Sequence, residues 1–134
     1  MKAAAHDTAS AKATTAPQQK RRVLTGAALK AAERLEISQA VLARIVGVSP
    51  STVTRMRQGS YLLDPERKEW ELGALFVRFY RSLDAIVGGR TESAKAWLYS
   101  GNAAFGGRKP GEMIADISGL VHVTDYLDAC RGRI

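Results

Sequence analysis

Ser51, Thr52 and Arg55 have the types and spacing to read a DNA duplex. At i, i+1 and i+4 they fall on one side of a helix, opposite Val53 and Met56. Short hydroxyls let such a helix sit deep in a major groove. An arginine in its first turns can reach guanine O6 and N7 with both arms of the guanidinium. Ser49 opens this helix at the same surface. Thr54, Arg57 and Gln58 flank the face where phosphates would lie, as does Gln39 at the start of the preceding helix. No comparable set points to catalysis. His122, Asp125 and Asp128 recur at helical spacing, but His6 lies far off in the N-terminal segment and Cys130 falls on an apolar stripe. A metal site would lack further soft ligands, and a solvated His/Asp face is the simpler reading. Neither a Ser/His/Asp set nor a carboxylate pair stands out. The chain reads as a binding protein with no catalytic residue, metal or cofactor.

The elements that must hold this face are legible around it. Ser38 caps a first helix in which Leu42, Ile45 and Val46 form a buried stripe. Ala43 lets a second helix cross closely, and Gly47 supplies the left-handed turn between them. Val48 plugs the corner, Ser49-Pro50 starts the second helix, and Gly59 ends it. This is a helix-turn-helix. The bland alternative, a helical hairpin with a solvated face, does not require all these residues to fit one geometry.

Charge supports the division. The chain of 134 residues carries a net charge of +7, and the whole excess lies before Ser60; residues 60–90 and 91–134 each balance five basic against five acidic groups. A basic end joined to a neutral end fits a DNA-binding half and a protein-binding half. Cys130 is the only cysteine, so no intramolecular disulfide can form and a reducing cytoplasm is expected. No apolar run approaches the ~20 residues that span a bilayer, so no membrane is expected as a partner.

Residues 1–22 hold no large aliphatic side chain after Met1 and read as a mobile basic tail. Lys20-Arg21-Arg22 at its end is either a DNA-backbone arm or a solvated boundary. The region 23–63 holds the DNA-binding unit. Thr25 is expected to cap its first helix, which presents Leu24, Ala28, Ala31 and Leu35 to the pair that follows. Residues 64–89 form a long central helix shared between halves, opened by Asp64-Pro65-Glu66 and stopped by Gly88-Gly89. Its two apolar rows, Trp70/Ala74/Val77/Tyr80 and Leu72/Leu75/Phe76/Phe79/Leu83/Ile86, place it between the two halves or between two subunits. Residues 90–134 form a small helical domain. A helix capped by Thr91 and running to about Ser100 buries Ala94, Trp97 and Leu98, a turn is anchored by Phe105, and Pro110 opens a short helix. A last helix after Ser118-Gly119 buries Leu120, Val123, Leu127 and Cys130. The fold class is all-α.

Leu24 to Gly59 resembles the lambda repressor-like, Xre-type DNA-binding domains. Trp97-Leu98, Asn102, Phe105-Gly106-Gly107, Pro110, Gly119, Val123 and Leu127 are similar to the toxin-binding domain of Xre/MbcA/ParS antitoxins, over about residues 70–132. Gly111 departs from the apolar residue usual there, which would loosen the short helix. The resemblance implies the antitoxin of a type II toxin–antitoxin pair. It would act as a homodimer that represses its own operon on palindromic double-stranded DNA and covers the active site of an NAD⁺-consuming RES-domain toxin. Toxin contacts are expected at Trp97, Asn102, Phe105 and Tyr126; Arg131, Arg133 and Ile134 either reach an anion-binding pocket or form a frayed basic end that complements the helix macrodipole. The rival readings are a stand-alone dimeric repressor with a dimerisation or ligand-sensing half, and an adaptor without DNA binding.

Overall fold

The computed structural model describes residues 15–132, and all regular structure among them is helical. The order is α1 Ala16–Arg34, α2 Gln39–Val46, α3 Pro50–Gln58, α4 Lys68–Ile86, α5 Thr91–Leu98, α6 Pro110–Met113 and α7 Ile117–Arg131. A 3₁₀ turn spans Ala103–Phe105. No helix of the described residues is long and apolar enough to cross a membrane.

The helix-turn-helix forms as its residues dictate. Ser38 and Ser49 cap α2 and α3 by accepting from Val41 N and Thr52 N, and Pro50 stands in the first turn of α3. Gly47 takes φ 82°, a left-handed conformation that a side chain would strain. Leu42, Ala43, Ile45, Val46, Val53 and Met56 are all buried between the helices.

Helix α1 departs from expectation. It begins at Ala16, where Thr15 caps it through Gln18 N, and so takes in residues read as tail. Thr25 is not a cap. It lies buried inside α1, donating to Arg21 O (2.7 Å) and accepting from Leu63 N (2.9 Å). Arg21 is not a free arm either: Nε and Nη2 donate to Leu63 O and Leu62 O at 2.8 and 2.9 Å. The segment is poor in apolar residues, but its helix is continuous with the packed stripe Ala28, Ala31, Leu35, and that packing carries it. Residues 1–14 lie outside the described residues.

Helix α4 starts at Lys68, later than the Asp64-Pro65-Glu66 signal suggests. Asp64 instead folds a turn, accepting from Glu66 N at 2.9 Å. Of the two rows, Phe76, Phe79, Leu83 and Val77 are buried, Trp70 and Tyr80 are partly covered, and Ala74 is exposed. The helix packs against α1 and α2 on one side and most extensively against α7 on the other, so the contact between halves within one chain accounts for its core rows. Trp70, Ala74 and Val77 also line an open groove with Val23.

In the second half Thr91 is the first residue of α5 rather than its cap. Asp116, not Ser118, caps α7, accepting from Gly119 N at 2.8 Å. Leu120, Val123 and Leu127 are buried as expected, whereas Trp97 and Cys130 are only partly so. Gly111 makes room for the Leu98 carbonyl and the Tyr99 ring, which would stand 3.0 and 3.2 Å from a Cβ there. The Tyr99 hydroxyl donates to Leu35 O and Glu36 O at 2.7 and 3.1 Å, and Lys95 Nζ lies 2.6 Å from Glu36. These bonds tie α5 to the turn before α2, where Glu36 itself adopts φ 55°.

Two glycines separate close approach from mere helix propensity. A Cβ on Gly119 would run into the Met113 carbonyl, whereas one on Gly26 would meet nothing. Gly119→Ala is expected to cost about 1–3 kcal/mol because backbone must move. Gly26→Ala should instead add roughly 0.5–1 kcal/mol, the helix preference for alanine. Chemical denaturation of the two variants beside the parent measures both signs.

Candidate functional site

Helix α3 presents Ser51, Arg55, Arg57 and Gln58 to solvent. Thr52, placed on the outward face by spacing, is 8% exposed. Its hydroxyl lies 3.0 Å from Ser49 Oγ and accepts from Arg55 Nη2 at 2.9 Å. Ser49 Oγ in turn lies 3.2 Å from Ser51 Oγ. Thr52 therefore shapes the face from beneath, and Ser49, Ser51 and Arg55 are exposed on it. Gln39 donates through Nε2 to Thr54 Oγ1 (2.6 Å) and Pro50 O (2.8 Å), fixing the start of α2 against α3. The N-terminal end of the α3 dipole adds partial positive charge that favours a phosphate.

One contact was not foreseen. The Arg55 guanidinium carbon lies 5.5 Å from the centroid of the Tyr61 ring. The Tyr61 hydroxyl donates to Glu69 Oε2 at 2.6 Å, and the same oxygen accepts from Asp64 N at 2.9 Å. Burial, then the bond to Glu69, raises the Tyr61 phenol above its ordinary value, so it stays a donor at neutral pH. Glu69 is 5% exposed. The sequence signal was faint: a charged residue on the inward side of a helix's first turn.

In the second half Phe105 is buried under three aromatic neighbours. Its ring centroid lies 6.2 Å from Trp97, 5.4 Å from His122 and 5.1 Å from Tyr126, each edge to face. Asn102 is spent on the loop. Its Oδ1 accepts from Ala104 N, its carbonyl accepts from Phe105 N and Gly107 N, and its N–H donates to Arg108 O. Of the expected protein contacts, Tyr126 and Arg131 reach the surface, Trp97 is partly exposed, and Phe105 lies beneath it. Arg133 and Ile134 lie outside the described residues. Tyr126 is 36% exposed, and on another flank of α7 two apolar residues that sequence reasoning missed are exposed, Ile117 (62%) and Val121 (41%). They fall outside the buried stripe of α7, and that misfit is the signal.

The apolar contact between α4 and α7 also carries a polar cluster. Asp128 pairs with Arg78 and accepts from the Ser82 hydroxyl at 2.6 Å, and Arg131 donates to the same hydroxyl at 3.1 Å. Asp128 is thus engaged across the helix pair rather than lining a metal site. Among the described residues no three His, Cys, Asp or Glu side chains are grouped to hold a metal ion.

A helix-turn-helix joined through one long helix to a second helical unit with its own exposed apolar face defines a two-module binding protein. Residues 15–78 match the antitoxin Xre-like helix-turn-helix domain, and residues 82–133 match the antitoxin Xre/MbcA/ParS C-terminal toxin-binding domain. No match was found among curated proteins. The two domains in tandem place the chain in the Xre-type antitoxin family, as an antitoxin of a toxin–antitoxin system.

The Ser82 hydroxyl, then Arg78 and Arg131, hold the Asp128 carboxyl below the ordinary carboxylate range. A lowered folded-state value stabilises the fold above the unfolded value, and this is lost as pH falls through the folded one. Asp128→Asn should therefore lower the denaturation midpoint by a constant amount above about pH 5, with the gap closing below about pH 4. A midpoint-versus-pH series for parent and variant checks the sign.

Proposed function

We propose that the chain neutralises a RES-domain, NAD⁺-consuming toxin by covering its active site, and represses its own operon as a homodimer on a palindromic operator. The observation that carries this is the pairing, on one helical frame, of the exposed Ser51 and Arg55 on α3 with exposed apolar side chains on α7, Tyr126 on one flank and Ile117 and Val121 on another. In this reading Arg55 reads a guanine and Ser51 allows close approach. Gln39, Ser49, Thr52 and Thr54 keep the face in shape, and Arg57 and Gln58 meet phosphates. Tyr126 anchors the toxin contact over a floor of Trp97 and Phe105 set by the Asn102 loop, and Ile117 and Val121 add apolar contact on another flank of α7. Arg131, with Arg133 and Ile134, extends it toward the toxin's anion-binding pocket. The RES assignment is supported by the likeness of the Trp97-Leu98, Asn102, Phe105-Gly106-Gly107 and Pro110 pattern to antitoxins of such toxins. A cytoplasmic protein that joins the nucleoid when bound to its operator follows from this function. A stand-alone repressor would use the same α3 face but give the exposed face of α7 no task.

Arg55→Ala should weaken operator binding by about 1–3 kcal/mol and relax specificity at one base pair, while Arg57→Ala lowers the salt slope by ~1. Mobility shifts on the chain's own upstream region across a salt series measure both. Val121→Asp should keep the fold and DNA binding but lose the toxin. Co-expression with the product of the adjacent reading frame, with cellular NAD⁺ as readout, tests this. Full protection of NAD⁺ by Val121→Asp would remove the α7 face from the account, and no NAD⁺ loss with the toxin alone would remove the RES assignment.

A further inference from the structure

We propose that Tyr61 and Glu69 are positioning residues for base readout, acting through Arg55. This rests on the reading of Arg55 as a base contact and names what determines its specificity. Arg55 has four side-chain torsions and stands exposed on α3, so a free guanidinium would sample many orientations before meeting a base. Two contacts restrict it: the Thr52 hydroxyl at 2.9 Å and the face of the Tyr61 ring at 5.5 Å. Each is itself held. Thr52 is buried beside Ser49, the cap of α3. Tyr61 is half-buried in the connector after α3, and its hydroxyl is fixed at 2.6 Å by Glu69 from the first turn of α4. Glu69 is buried and has a second tether, the Asp64 N–H at 2.9 Å. One of the two supports of the reading arginine thus comes from outside the helix-turn-helix, from the helix that also carries the second half.

An open hollow of about 470 Å³ beside α3 is lined by Thr52, Arg55, Tyr61 and Glu69 together with Arg67 and Asp64. Arg55 therefore lies along one wall of it rather than pressed into a core. Its geometry depends on the contacts named and not on general packing, so a substitution at Tyr61 should act on readout more than on stability. A prearranged guanidinium loses less freedom on meeting a base, which sharpens discrimination at that base alone.

The test is selection by the purified full chain from a library of randomised duplexes. Base preference at each position is then read for the parent, Arg55→Ala, Tyr61→Leu, Tyr61→Phe, Glu69→Gln and the Arg55→Ala/Tyr61→Leu pair. The parent should enrich a guanine position that Arg55→Ala loses. Tyr61→Leu should lower preference at that same position by about two- to fivefold, the strength of an exposed cation–ring contact, and leave other positions unchanged. Tyr61→Phe keeps the ring without its tether and should fall between, and Glu69→Gln, which still accepts both bonds, should approach the parent. The pair should lose no more than Arg55→Ala alone. If Tyr61→Leu fails to fold, Tyr61→Phe decides. Parent-like preference in both Tyr61 variants overturns the positioning role while the Arg55 reading stands. So does a uniform loss at all positions that persists without Arg55, which marks a merely structural residue. Parent-like preference in Arg55→Ala, or no selection by the parent, overturns the Arg55 reading and this inference with it.

Discussion

The fold depends on how the connector Tyr61-Leu62-Leu63 is received. Leu63 is fully buried, so the peptide groups around it leave water, and each one unpaired would cost about 1–3 kcal/mol. Arg21 takes the carbonyls of Leu62 and Leu63, and Thr25 takes the Leu63 N–H. Glu69 takes the Asp64 N–H that follows. Three side chains from two helices thus satisfy a segment with no secondary structure of its own. With the connector fixed, α1 and α4 are held on the same side of the helix-turn-helix, and α2 has a surface to pack on.

Helix α4 then becomes the element on which both halves are built. Its first turn supports Tyr61 beneath Arg55, and its later turns pack along α7, where Arg78 and Ser82 hold Asp128. A second tie joins the halves at α5, through Tyr99 and Lys95 to the turn at Leu35-Glu36. The two exposed faces are therefore parts of one packed structure, and a rearrangement at one end of α4 has a direct mechanical path to the other. Whether binding at one face alters affinity at the other depends on α4 having two arrangements, which such contacts alone do not create.

The aromatic cluster around Phe105 shows how burial and exposure divide the work of a binding surface. Phe105 and Trp97 give it a stiff floor, and Tyr126 stands on that floor at the rim. Large side chains held by edge-to-face contacts lose little freedom when a partner covers them, which suits them to be anchors.

Local chemistry was written in the chain. The caps Ser38 and Ser49, the left-handed Gly47 and Gly59, the stripes of α2 and α3, and the position of Arg55 on an outward face all follow from neighbours within a few residues, because a helix fixes spacing. The tandem of a DNA-reading pair and a Trp-Leu/Asn/Gly-Gly/Pro unit was legible for the same reason. What only the tertiary structure decided was the use of polar side chains at a distance. Arg21 and Thr25 looked like a basic tail and a cap, yet partners some forty residues away turn them inward. Thr52 was expected on the face and is buried under Arg55, and Glu69 was unremarked until Tyr61 closed over it. Periodicity reports which side of a helix is apolar. It carries no information about which distant hydroxyl or carbonyl a polar group will meet, and that is set only when the helices pack.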